Sequence, residues 1–187
     1  MKTKQTHLFR HYIVVGLVVG LTMVMASCSS TSATAPAYTT PTSAITQYQN
    51  SNYGYSINVL PKWAVNDTDV SSVVIGSPDT LDYVHVVSSA IKNTDLIQFV
   101  TDCEKVFQAD YPQTYAEQTS AQVTISGGLA ATSLTVVFVK DEVPMQASVL
   151  ATIKGNYGYC VVGAAPLADW STYKNDLTNI INSLNVN

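Results

Sequence analysis

The chain predicts an α+β domain: an antiparallel sheet of about six strands with helices on both faces. Three observations carry this. Leu96, Val100, Cys103 and Phe107 recur at helical spacing, reinforced by Phe99 and Val106. Trp170, Tyr173, Leu177, Ile180, Ile181 and Leu184 form a second stripe of the same period. The segments before and between them are β-branched or alternating, with apolar residues on both faces. A sheet that is apolar on both faces needs a cover on each.

In chain order, Asn52–Val59 reads as a first strand stopped by Pro61. Val70–Ser77 and Leu81–Ile91 are β-branched runs separated by Ser77-Pro78-Asp79, a turn signal. Thr94 stands where a helix N-cap belongs, with Asp95 in the first turn. About four turns follow, with Asp102, Glu104 and Lys105 mostly off the apolar stripe. A loop through Tyr111-Pro112-Gln113 leads to Val123–Ile125, Gly127-Gly128 and Leu129–Val139. Asp141-Glu142-Val143-Pro144 turns the chain into Met145–Ile153, and Gly155-Asn156 turns it into Tyr157–Ala165. Short turns between consecutive strands make this an antiparallel meander. Asp169 is the expected cap of the closing helix. The words Asn52-Tyr53-Gly54-Tyr55 and Asn156-Tyr157-Gly158-Tyr159 are identical, but their surroundings differ, so they read as two turn-to-strand starts and not a repeat.

The N-terminal region indicates a destination. Lys2, Lys4 and Arg10 precede an uncharged run from Ile13 to Ala26 that is short for a bilayer crossing of about 20 apolar residues. A basic start, a short apolar stretch and small residues before the cut describe a secretory signal over residues 1–27. Met25-Ala26-Ser27-Cys28 resembles the lipobox of bacterial lipoproteins, with Met25 where Leu is usual, and this makes Cys28 the expected lipidated residue. The alternative is an ordinary cleaved signal followed by an incidental cysteine. Residues 28–46, rich in Ser, Thr, Ala and Pro with no charge, read as an extended tether. Residues 47–187 are one domain by length.

Composition excludes several functions. Three of the nine Lys and Arg fall in residues 1–27, which hold none of the thirteen Asp and Glu, so the remainder carries a formal charge of −7 and no arginine. Nucleic-acid binding needs a basic stripe and is excluded. Without arginine there is no bidentate clamp for phosphate or carboxylate. The domain itself has no charge basis for adhering to anionic lipid, so anchoring falls to lipid on Cys28.

Tyr53-Gly54-Tyr55-Ser56-Ile57, then Pro61-Lys62-Trp63, resembles the opening of the PsbP-like proteins (the PsbP and DcrB-like group), whose first strand runs from aromatic-Gly-aromatic into a Pro-x-Trp turn. The order of strands, helix, meander and a last helix ending Ile181-Asn182-Ser183-Leu184 is similar too, over nearly all of residues 48–187. The resemblance implies an α/β/α sandwich. Plant members are extrinsic photosystem subunits that affect calcium and chloride retention, and the family shares no catalytic residues. The implied protein is therefore not an enzyme. It is a membrane-anchored extracytoplasmic lipoprotein acting as an accessory, assembly or protein-interaction module, with a protein partner and no cofactor. The alternative is a module for a small ligand: sugar, peptide or calcium.

The chemistry-bearing residues are few. His85, the single histidine after the signal, lies in a strand beside Tyr83 and Val87 without a nucleophile elbow or other hydrolase word around it. One His and two Cys undersupply a zinc site. Cys103 on the helix stripe and Cys160 on a strand face are placed to meet; outside the cytoplasm two such thiols can oxidise, and the alternative is two separate buried thiols. Asn66-Asp67-Thr68-Asp69 alternates oxygens in one loop, which makes Asp67 and Asp69 candidate calcium ligands against the plainer reading of a solvated turn. Tyr111 and Tyr115, in a polar loop, are the candidates for an aromatic binding surface.

Overall fold

The computed structural model describes residues 46–92, 95–111 and 115–187. The signal over residues 1–27, the lipidation site Cys28, the tether up to residue 45, the expected cap Thr94, and Pro112 and Gln113 lie outside the described residues.

The described chain builds ten strands and two α-helices. In order these are β1 (Thr46–Asn50), β2 (Tyr55–Val59), β3 (Ala64–Asn66), β4 (Ser72–Gly76), β5 (Tyr83–Ala90), α1 (Leu96–Asp110), β6 (Ala116–Ile125), β7 (Leu129–Lys140), β8 (Val143–Lys154), β9 (Tyr157–Pro166), α2 (Trp170–Asn182) and β10 (Asn185–Val186). Seven strands form one antiparallel sheet in the order β3-β4-β5-β9-β8-β7-β6. The other three form a second sheet, β1-β2-β10.

This corrects the expected fold class. Strands dominate, the main sheet has seven strands instead of about six, and a three-stranded sheet shares the work of covering it. The two helices do not make a helical layer on each face. The missed elements are the polar and the short ones. β1 carries only one apolar side chain, Tyr48, and is a strand because it pairs with β2 in register from Thr46 opposite Val59 to Asn50 opposite Tyr55. Thr46, the last residue of the expected tether, is the first residue of β1. β10 is two residues long and exists by pairing with the same strand, Val186 opposite Tyr55.

The meander matches its sequence pattern closely. β7 and β8 join through Asp141 and Glu142, both at positive φ (49° and 66°), with Lys140 opposite Val143. That is the geometry whose twist suits a two-residue hairpin. β9 runs through the centre of the sheet and is buried from Gly158 to Ala165. Its alternate residues feed two separate cores. Tyr159, Val161 and Ala165 join Val84, Val86, Leu150, Tyr55, Ile57 and the α2 side chains Leu177, Ile180 and Ile181. Cys160, Val162 and Ala164 join Val100, Leu134, Val136, Phe138, Met145 and Val149.

Glycine decides how closely each helix approaches β9. A Cβ at Gly163 would lie 2.7 Å from Ile181 Cδ1 and 3.3 Å from Leu177 Cβ, so α2 seats directly on the backbone there. A Cβ at Gly158 would lie 2.3 Å from Phe99 Cε2, so the Phe99 ring of α1 fills the space a side chain would take. The N-cap of α1 is Asp95, whose carboxylate accepts from the Ile97 N–H at 2.9 Å. Asp169 precedes α2, but its side chain makes no capping bond.

The two identical tetrapeptides meet. Tyr53 stacks edge-on against Tyr157 with centroids 5.5 Å apart, and Tyr55 against Tyr159 at 5.9 Å. The Tyr159 hydroxyl donates to the Tyr53 carbonyl at 2.7 Å. These contacts tie the small sheet to the large one.

Candidate functional site

The chemistry-bearing side chains converge on the face of the main sheet under α1. Alternation along β5 puts Tyr83, His85 and Val87 on this face, and β9 adds Cys160 to it. From α1 come Phe99, Cys103 and Phe107.

Cys103 and Cys160 are brought together as free thiols with their sulfurs 3.7 Å apart. The Cys103 thiol is pushed up, first by its hydrogen bond with Cys160, then by burial, then by the charges on Cys160, Asp102 and Glu104. It is therefore a thiol and not a thiolate at neutral pH.

His85 Nε2 lies 2.8 Å from Ser72 Oγ. Burial, with a smaller contribution from the charge on Lys140, pulls the imidazole down to about 4, so it is neutral at neutral pH. Lys140 itself stands over the Tyr83 ring at 4.6 Å from its centroid. A catalytic dyad needs a carboxylate or amide to orient its histidine. Beside His85 lie a serine hydroxyl at Nε2 and the charge of Lys140, which disfavours the imidazolium that such chemistry would form.

Tyr111 and Tyr115 do not stand out as an exposed aromatic patch; both are half-buried. Tyr111 packs on Phe138 at 4.7 Å between centroids, and Tyr115 on Phe107 at 6.2 Å. Burial raises Tyr115 to about 12, and among the described residues its buried hydroxyl has no hydrogen-bond partner. These rings close the open end of the α1 core. Beside them Glu104 of α1 and Glu117 of β6 share a hydrogen bond, and burial first, then that bond and the charge of Glu117, raises Glu104.

The loop of Asp67 and Asp69 organises its own turn. The Asp69 carboxylate accepts from the Ser71 N–H at 2.9 Å and from the Ser71 hydroxyl at 2.6 Å. Asn66 accepts from the Thr68 backbone N–H and from its hydroxyl. Among the described residues no group of three or more His, Cys, Asp or Glu is placed to hold a metal ion. The Asp69 and Asn66 oxygens already accept bonds within their own turn, while Asp67 lies beside Tyr48.

Two concavities lie elsewhere. A groove of about 450 Å³ beside α2 is lined by Val123, Ile125, Ser133, Ser148, Thr178 and Asn182. A cleft of about 330 Å³ on the small sheet is lined by Gln47, Gln49, Asn185 and Asn187 together with Asn50 and Tyr55, and the buried Asn50 amide is already bonded to the Val70 carbonyl and to the N–H groups of Asn52 and Tyr53. Sequence reasoning missed this cleft, because its residues come largely from β1 and from β10 with the Asn187 that follows it, segments that only tertiary pairing makes strands.

β6 presents a different kind of surface. It is the last strand of the main sheet, ten residues long, and every residue except Val123 and Ile125 is exposed. Its register on β7 shifts between Glu117 and Thr119.

The domain has the PsbP-like fold, as its likeness to solved structures shows. No family model matches the sequence, and no curated protein matches it. Among solved structures the chain is similar to cyanobacterial PsbP (CyanoP) from Synechocystis sp. PCC 6803, at a TM-score of 0.61 and 15% identity over 82% of this chain and 98% of that one. A protein from Bacteroides thetaiotaomicron aligns at a TM-score of 0.52 and 12% identity, over 75% of this chain and 48% of that one. LpqN of Mycobacterium tuberculosis, described as involved in cell envelope biogenesis, aligns at 0.50 and 14%, over 76% and 90%. Likenesses at these identities define the fold alone.

Proposed function

We propose that this protein is an extracytoplasmic lipoprotein, anchored through lipid on Cys28, whose domain is a non-catalytic docking module for a protein partner. The observation that carries the docking role is β6. A long edge strand is a template for an extended segment of another chain, which natural sheets usually shorten, charge or cover. β6 carries one charged residue, Glu117, in ten and is exposed along nearly its whole length. The lipobox-like Met25-Ala26-Ser27-Cys28 supports the anchor, and the PsbP-like fold of CyanoP and LpqN agrees with an accessory role.

The test uses the full-length lipidated protein in intact cells, with a photo-crosslinking residue at Ser120 on β6 or at Lys174 on α2. One discrete protein adduct from Ser120 and none from Lys174 is expected. A bait that runs alone from both positions overturns the docking role. Cys28→Ala should release the protein from the membrane fraction, and retention there overturns the lipid anchor.

The amide-lined cleft on the small sheet favours a second reading, a module for a small neutral ligand. Uncharged amides beside a tyrosine can donate and accept to hydroxyls or peptide groups. A saturable thermal shift with a neutral oligosaccharide or a short peptide supports it, and a flat response across both classes removes it.

A further inference from the structure

We infer that Cys103 and Cys160 are a disulfide-forming pair that pins α1 to the central strand β9, closed by exchange with an extracytoplasmic protein that donates its own disulfide. The placement is built in two matched steps. Phe99 lies in the space over Gly158, and one helical turn on from Phe99 is Cys103. Two residues on from Gly158 is Cys160. A turn of helix advances about 5.4 Å and two strand residues about 6.6 Å, so the ring that seats α1 also sets one sulfur above the other. The result is the 3.7 Å separation between free thiols. Closing it to a bond of about 2.05 Å takes roughly 1.7 Å, within the reach of small χ1 rotations at two positions.

The neighbourhood supports oxidation over metal binding. Among the described residues the pair has no third His, Cys, Asp or Glu grouped with it for a metal. Of the two thiols, Cys103 is half-buried and Cys160 is buried, so an oxidant meets Cys103 first. The Cys103 thiolate attacks one sulfur of the donor disulfide and releases the other as a thiol. Cys160 then attacks Cys103 Sγ in the mixed disulfide and releases the donor's second thiol. Two electrons pass to the donor, whose disulfide becomes a dithiol carrying the two protons the cysteines lose. Because the contact with Cys160, then burial and the acidic neighbours, hold Cys103 protonated once α1 is seated, exchange is fastest before docking, and the finished bond is shielded from reductant.

The bond would matter because α1 is weakly held: Val100 is its one fully buried side chain. Cross-linking residues 103 and 160 encloses β6, β7, β8 and the start of β9 in one covalent loop.

The inference rests on the extracytoplasmic placement for its oxidant, so the test separates the two. Full-length protein carrying Cys28→Ser leaves the pair as its only thiols. With excess oxidised glutathione the chain should become lighter by two hydrogen atoms. It should then take no maleimide under denaturation until reduced, and two afterwards. Its Tm should fall on reduction by about 10 °C. Cys103→Ala and Cys160→Ala, which keep a small apolar group, should each abolish that reduction-dependent fall. Two maleimides before reduction, or a glutathione adduct left on Cys103 beside a free Cys160, overturn the pairing. In acid-quenched cells the bond should already be present. A bond that forms in the purified protein and is missing from cells leaves the pairing in place and overturns the extracytoplasmic placement.

Discussion

The two helices sit on the same sheet and are held by different means. α2 buries Trp170, Leu177, Ile180 and Ile181, and its Leu177 and Ile181 side chains rest against Gly163. α1 is longer yet fully buries only Val100, and it touches β9 through the movable ring of Phe99 and the thiol of Cys103. Both show a clear apolar stripe in the sequence. What separates them is the cover above: α2 shares its layer with the small sheet, whose Tyr55, Ile57 and Val186 close the same core. Among the described residues, α1 has the half-buried rings of Tyr111 and Tyr115 at its end. An amphipathic stripe therefore predicts a helix but not how firmly the helix is docked.

The largest effect should come from Leu177→Ala under α2, a loss of about 4 kcal/mol for deleting a fully buried leucine with little room to collapse. Denaturant unfolding measures it, and a loss below that of Val100→Ala would invert the comparison. Gly163→Val should cost about 3 kcal/mol, because the atoms it meets belong to a helix held at four points. Gly158→Val should cost about half as much, since the Phe99 ring and α1 can move away. Equal costs at the two glycines would show that α1 is as rigidly seated as α2.

Acid should loosen the α1 side first. His85 is pulled down to about 4 from 6.5, so the unfolded chain binds this proton more readily. Its contribution is complete above pH 6.5 and lost as pH falls towards 4, roughly 3 kcal/mol from the linkage relation. Hydrogen exchange should report this as faster opening of α1 than α2 between pH 7 and 4, with the difference reduced in His85→Gln. The smallest effect has the opposite sign. Glu104 is raised by burial and by Glu117, so the pair is most stable when protonated, and its contribution is lost as pH rises through the folded value. Glu104→Gln should thus raise the Tm slightly at pH 7 and leave it unchanged near pH 4. A gain that persists at pH 4 would place the effect in packing instead of charge.

How much could be read beforehand follows from how local each signal was. The β7–β8–β9 meander, both helices and the meeting of Cys103 with Cys160 were visible because alternation, helical period and turn residues all lie within one segment. β6 was expected only from Val123 to Ile125, since its first seven residues are exposed and carry no apolar alternation. The pairing of Tyr53 with Tyr157 and Tyr55 with Tyr159 was hidden in two identical words whose contexts differ. The role of Gly158 was equally hidden, because a glycine inside a strand does not name the ring that will occupy its place.

By itself the sequence determined the signal-like start, the acidic arginine-free composition, the positions of both helices and the central meander, since these rest on residue type and short-range period. The tertiary structure alone decided that seven strands share the main sheet, that polar β1 and the two residues of β10 become a second sheet, and that Tyr111 and Tyr115 turn inward. Those outcomes depend on pairing and burial between distant segments, and a backbone group or a ring takes its place only when its partner arrives.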